Sequence, residues 1–98
     1  MSAMLLRTQV KSESADEVEA AVKTLFAALE EAKPQGVRYS SYRLADGVTY
    51  VVVLDVEEGI ENPLPSVPAF LEFQAALKGW LVGPPVPEVL TVIGDYRS

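Results

Sequence analysis

Three side chains with polar chemistry stand at alternate positions in the middle of the chain, Tyr39, Ser41 and Arg43, and a fourth, Tyr50, follows after a short break. Successive side chains of a strand point to opposite faces, so 39, 41 and 43 share one face. If the following strand pairs so that Arg43 faces Tyr50, the four together offer phenol donors and a fixed positive charge to an anionic or enolic ligand. The same pattern also suits a plainer role, in which the rings pack and their polar tips reach water at the sheet edge. A second set lies further on: Phe70, Phe73 and Trp80 could wall a planar ligand, with Gln74 four residues after Phe70 as a polar group beside them. Aromatics at helical spacing equally build ordinary core.

The residues that are missing narrow the chemistry further. The chain has no cysteine and no histidine, which removes disulfides, thiolate catalysis, iron–sulfur ligation and the usual general base and metal ligand. The adjacent carboxylates Glu30-Glu31 and Glu57-Glu58 diverge in direction on a helix or strand and so make no acid/base pair by proximity alone. No glycine-rich dinucleotide loop, P-loop, HExxH, nucleophile elbow or EF-hand pattern occurs. No catalytic residue is assigned, and neither a metal nor a cofactor is expected.

A formal charge of −6 argues against a nucleic-acid partner, because affinity for phosphate comes from Lys and Arg. No apolar run reaches the roughly 18 to 20 residues of a membrane span, and the first residues, Met1 to Arg7, lack the pattern of a signal peptide, so the expected location is cytoplasmic and no membrane contact is expected. Ninety-eight residues, 49% of them hydrophobic, suit one domain over 1–98 with a single core.

The elements that must position these side chains follow from periodicity. Residues 4 to 11 alternate as a strand, with Met4, Leu6, Thr8 and Val10 on one side. Ser14-Ala-Asp-Glu17 has the form of a capping box. It opens a helix whose apolar stripe is Val18, Ala21, Val22, Leu25, Leu29 and Ala32, with Glu19, Lys23, Glu30 and Glu31 turned away and Pro34 and Gly36 closing it. From Val37 to Val56 two strands flank Asp46-Gly47, a two-residue hairpin signal. Pairing Ala45 with Val48 sets Arg43 against Tyr50, Ser41 against Val52, Tyr39 against Leu54, Val37 against Val56 and Arg38 against Asp55, the last a plausible ion pair. Residues 57 to 66 read as a loop. Ser66 is placed to cap a second helix with Pro68 in its first turn and Phe70, Phe73, Leu77, Trp80 and Leu81 as its stripe, ended by Gly83-Pro84-Pro85. Residues 88 to 97 form a last strand.

Strand, helix, hairpin, helix, strand predicts an α+β, ferredoxin-like βαββαβ fold: a four-stranded antiparallel sheet with both helices on one face. The other face would carry Leu5, Tyr42, Leu44, Val51, Val53, Val89 and Ile93, and an exposed antiparallel face is normally polar. At about 1.5 to 3 kcal/mol per large aliphatic side chain, five of these represent on the order of 10 kcal/mol of burial unused in a monomer, less the cost of association. A two-fold homodimer would bury the patch against itself and close two sheets into a barrel, with Arg7, Arg38 and Asp55 at the seam.

Gly36-Val-Arg-Tyr39, Asp46-Gly-Val48, Asn62-Pro-Leu64, Pro68-Ala-Phe70 with Phe73-Gln74, Pro84-Pro85 and Gly94-Asp-Tyr-Arg97 resemble the dimeric α+β barrel superfamily that includes antibiotic biosynthesis monooxygenase-like proteins, and more narrowly a group of small bacterial proteins of unknown activity. The resemblance spans nearly the whole chain and rests on caps, turns and packing positions. It implies a small-molecule cavity between helices and sheet, used in some members for cofactor-free oxidation of aromatic compounds and in others for binding haem. Here there is no histidine to ligate haem, and the single asparagine, Asn62, falls in a loop. The expected function is thus a small dimeric protein with a ligand cavity between helices and sheet and no legible catalytic constellation. The alternative is a cofactor-independent monooxygenase-like enzyme acting on a small aromatic or enolic compound.

Overall fold

The computed structural model describes residues 2–96. Its elements run β1 (Ser2–Gln9), α1 (Ala15–Ala32), β2 (Val37–Arg43), β3 (Thr49–Val56), α2 (Pro68–Leu77) and β4 (Val86–Leu90), with short 3₁₀ turns at Ser12–Ser14 and Leu64–Ser66. The four strands form one antiparallel sheet in the order β2-β3-β1-β4, which is the ferredoxin-like βαββαβ arrangement. Both helices lie on the same face. Leu25 of α1 and Phe70 of α2 close with Leu64 and Val67 over Tyr39 and Leu54, while Val18 of α1 packs with Val10 and Tyr50, with Val22, Leu77, Trp80 and Leu81 around them.

The hairpin register is the one its sequence predicts: Val37 opposite Val56, Tyr39 opposite Leu54, Ser41 opposite Val52 and Arg43 opposite Tyr50. The turn differs. Ala45 and Val48 do not pair; a four-residue loop spans them, closed by Leu44 N–H donating to the Thr49 carbonyl and Gly47 N–H donating to that of Leu44. Gly47 takes φ +78° while Asp46 does not enter the left-handed region, because its carboxylate is occupied. It accepts from the Val48 and Thr49 amides and the Thr49 hydroxyl, and these bonds hold its pKa below the usual carboxylate range. Arg38 stands opposite Asp55, yet among the described residues they form no ion pair, and the buried Asp55 Oδ1 has no hydrogen-bond partner.

Several element ends depart from expectation, each for a tertiary reason. β1 starts at Ser2, because β3 is long enough to pair with it as far as Val56, and it ends at Gln9, after which Val10 bridges to Leu81. At the start of α1, Ser14 sits at the N-cap position with φ −102° and ψ −2° and makes no side-chain cap; that near-helical backbone cannot present the hydroxyl as an extended cap residue does. The other half of the expected box, Glu17, instead accepts from the Trp80 indole at 3.1 Å. Helix α1 ends with Lys33 in the left-handed conformation, and Gly36, at φ +78°, turns the chain into β2. Ser66 does not cap α2; its hydroxyl donates to the Pro63 carbonyl, and Val67 takes the N-cap position ahead of Pro68. α2 stops at Leu77, so Trp80 and Leu81 are not on its stripe. Gly79 and Trp80 amides close tight turns on Ala76 and Leu77, and the bond from Val82 N–H to the Gln9 carbonyl draws the chain to the end of β1.

β4 forms earlier than its alternation suggests. Its ladder with β1 runs from Arg7–Val86 to Ala3–Leu90, so it reaches the start of β1 at Leu90, and residues 91–96 carry no regular structure. Arg97, the expected end of this strand, lies outside the described residues. Pro87, within β4, is tolerated because β4 is an edge strand and needs only one ladder.

The open face carries three full rows, Tyr42–Val51–Arg7–Val86, Ser40–Val53–Leu5–Glu88 and Arg38–Asp55–Ala3–Leu90, and a shorter one, Thr49–Gln9. Val89 is opposite Met4 and so belongs to the helix-side rows, and Ile93 lies past β4; neither is part of the open face as expected. No helix among the described residues is long and apolar enough to cross a membrane.

Candidate functional site

The row Arg43–Tyr50 and the next, Ser41–Val52, lie under the N-terminal half of α1 at the margin of the sheet, where β2 has no outer neighbour. Here α1 and β2 enclose a cleft of about 210 Å³ lined by Glu19, Val22, Lys23, Ser41, Tyr42, Arg43 and Tyr50. The Tyr50 ring is fixed by Val10 and Val18 and is only 6% exposed. Its hydroxyl is shielded from water and has no hydrogen-bond partner among the described residues. Burial raises its pKa first; the nearby Glu19 carboxylate raises it further, and Arg43 partly offsets both. The phenol is therefore neutral and a donor. Over the mouth, Arg43 Nη1 is paired with Glu19 Oε1, linking β2 to α1.

Three of the expected site residues thus meet: Ser41, Arg43 and Tyr50. Tyr39 does not join them. It stacks on Phe26 with ring centroids 5.5 Å apart and meets Phe70 edge-on at 5.9 Å, and burial pushes its pKa up to about 12. It borders a separate hollow of about 210 Å³ with Leu29, Glu30, Lys33, Pro34 and Leu64. Phe70 is core and Phe73 packs against that core. Gln74 is exposed on α2 and lines neither hollow. Trp80 leans on the Val10–Val18–Tyr50 cluster with its indole tied to Glu17. Phe70, Phe73 and Trp80 thus pack in or against the two core clusters and line neither hollow.

Glu19, Val22, Lys23 and Tyr42 are the lining residues that periodicity assigned otherwise: Val22 to the stripe, Glu19 and Lys23 to the solvated side, and Tyr42 to the open face. The helix lies over the sheet margin, so its flank, and not only its central stripe, faces β2. The available signal was the opposite charge of Glu19 and Arg43 on elements that must be neighbours. Asn62, the single asparagine, is held in the loop before α2, its Oδ1 accepting from Leu64 N–H at 3.0 Å. Among the described residues no three acidic side chains converge as metal ligands. A larger hollow of about 450 Å³ lies at the hairpin end of the sheet, beside Arg7, Leu44, Asp46 and Pro84.

No protein-family model and no curated protein matches the sequence. Solved structures do match in fold. A protein from Nitrosomonas europaea assigned to the antibiotic biosynthesis monooxygenases superposes with a TM-score of 0.77 at 13% identity, over 96% of this chain and 100% of that one. Another so assigned, from Caulobacter crescentus, gives 0.72 at 23% identity over 95% and 90%. SnoaB, a cofactor-independent oxygenase from Streptomyces nogalater, gives 0.72 at 18% identity over 99% and 97%. The chain carries the ferredoxin-like fold of these proteins across nearly its whole length.

Proposed function

We propose that this protein is a small-molecule-binding domain, a homodimer through its open sheet face, whose ligand enters between α1 and the β2–β3 hairpin. The observation that carries the reading is the Tyr50 hydroxyl, buried without a partner in the wall of the cleft. A buried polar group left unbonded costs on the order of 1 to 3 kcal/mol, and a ligand acceptor that reaches it once Arg43 and Glu19 part would recover it. The cleft, at about 210 Å³, is smaller than the roughly 300 Å³ of a typical drug-sized site, which favours a compound of one or two rings. The test is a titration with 1-naphthol followed through backbone amide shifts. Val22, Ser41 and Tyr50 are expected to move, and Tyr50→Phe to weaken binding about three- to tenfold, the value of one neutral hydrogen bond. Shifts confined to other surfaces would refute the site.

The fold shared with a cofactor-independent oxygenase favours one second reading, oxidation of an aromatic or enolic compound in the same cleft. It requires oxygen uptake with a substrate such as 1,4-dihydroxynaphthalene above its spontaneous rate, lost in Tyr50→Phe. Uptake equal to the spontaneous rate would leave the binding reading alone.

A further inference from the structure

We infer that the α1–β2 cleft is selective for a monoanion, a carboxylate on a one- or two-ring body, which takes Arg43 over from Glu19. The inference rests on the cleft being the ligand site. The whole chain carries a formal charge of −6, yet this cleft is lined by two cations, Arg43 and Lys23, against one anion, Glu19. One further negative charge would balance it. The existing clasp is easily exchanged: the Arg43 and Glu19 side chains are 54% and 37% exposed, and an ion pair so hydrated contributes little stability. A guanidinium has five donors in a planar fork, so a ligand carboxylate can be bound through two of them. Behind that fork the buried Tyr50 hydroxyl offers a donor, Ser41 another hydroxyl, and Val22 an apolar wall. The space fits, since an apolar cavity of about 150 Å³ already accepts benzene. A dianion is disfavoured, because its second charge would find no cation left in the lining beside Glu19.

The experiment compares 1-naphthoate with its neutral isostere 1-naphthamide, each titrated into the full chain and read by amide shifts. Naphthoate is expected to move Val22, Ser41 and Tyr50 and to bind at least about tenfold more tightly than the amide, the value of a charge-assisted hydrogen bond. Arg43→Gln should erase this preference. Glu19→Gln should strengthen naphthoate severalfold, and by more than it strengthens the amide, a gain that a merely damaged fold would not produce. If the two probes bind equally in the cleft, or the preference survives Arg43→Gln, the monoanion inference is overturned and the ligand site stands. If neither probe moves those three residues, the site and the inference fall together.

Discussion

Tyr39 and Tyr50 sit on neighbouring strands of the helix-side face, and their surroundings give them different work. Tyr39 stacks on Phe26 and meets Phe70 edge-on, so its ring is a packing element. Its pKa, pushed up to about 12 by burial, exceeds the ordinary value of about 10 of an unfolded tyrosine. Below pH 10 the phenol is neutral in both states and contributes no pH dependence. Between pH 10 and 12 the unfolded chain ionises first, so stability falls as pH rises. Urea unfolding at a series of pH values across that window should show the decline, and Tyr39→Phe should make it shallower while changing stability little at pH 7. An equally steep decline in Tyr39→Phe would place the alkaline transition elsewhere. Tyr50 has a tighter environment and an unbonded hydroxyl, which is why the functional expectation rests on it.

The helices and turns of this chain end where tertiary contacts stop them. α1 closes on Lys33, a non-glycine residue at φ 49° and ψ 55° whose N–H donates to the Leu29 carbonyl at 2.8 Å. The left-handed region costs an L-residue about 1 to 2 kcal/mol, and glycine at this position relieves it at the expense of a more flexible unfolded chain. Lys33→Gly is therefore expected to raise stability by about 0.5 to 1 kcal/mol, read as a higher urea midpoint with an unchanged slope. A lower midpoint would mean that the lysine stem packs against the helix end strongly enough to outweigh the strain. Elsewhere the same logic shifts boundaries: the four-residue hairpin loop exists because Asp46 satisfies two amides and a hydroxyl at once, and α2 is cut short because Val82 and Leu81 join the end of β1.

For the molecule as a whole, the unanswered surface is the open face of the sheet. Its middle row holds Val53 and Leu5 side by side, and the row beside it places Tyr42 next to Val51; Tyr42 is 57% exposed in the single chain. A second copy set against this face would bury the patch. Sedimentation equilibrium is expected to give a dimer for the native chain. Val53→Asp should shift it to a monomer, while Ala27→Asp, on the exposed side of α1, should leave the dimer intact. A native chain that sediments as a monomer would remove the dimer proposal.

Periodicity and composition alone determined the element order, the hairpin register and the side of the sheet that each strand residue of the β2–β3 pair occupies. These follow from local rules: a period of two fixes faces, a period of 3.6 fixes the stripe, and Asp-Gly marks the turn. From the site, the same rules brought Ser41, Arg43 and Tyr50 together, since all three follow from the register. Tertiary structure alone decided the rest. Whether Tyr39 was core or cleft depended on Phe26 coming from another element, and whether Trp80 was helix or turn depended on the bridge from Leu81 to Val10. The end of β4 depended on where β1 begins. Glu19 and Lys23 became cleft residues only because α1 lies over the sheet margin, a placement set by how two clusters of core side chains pack, and packing is a property of pairs that no single segment carries.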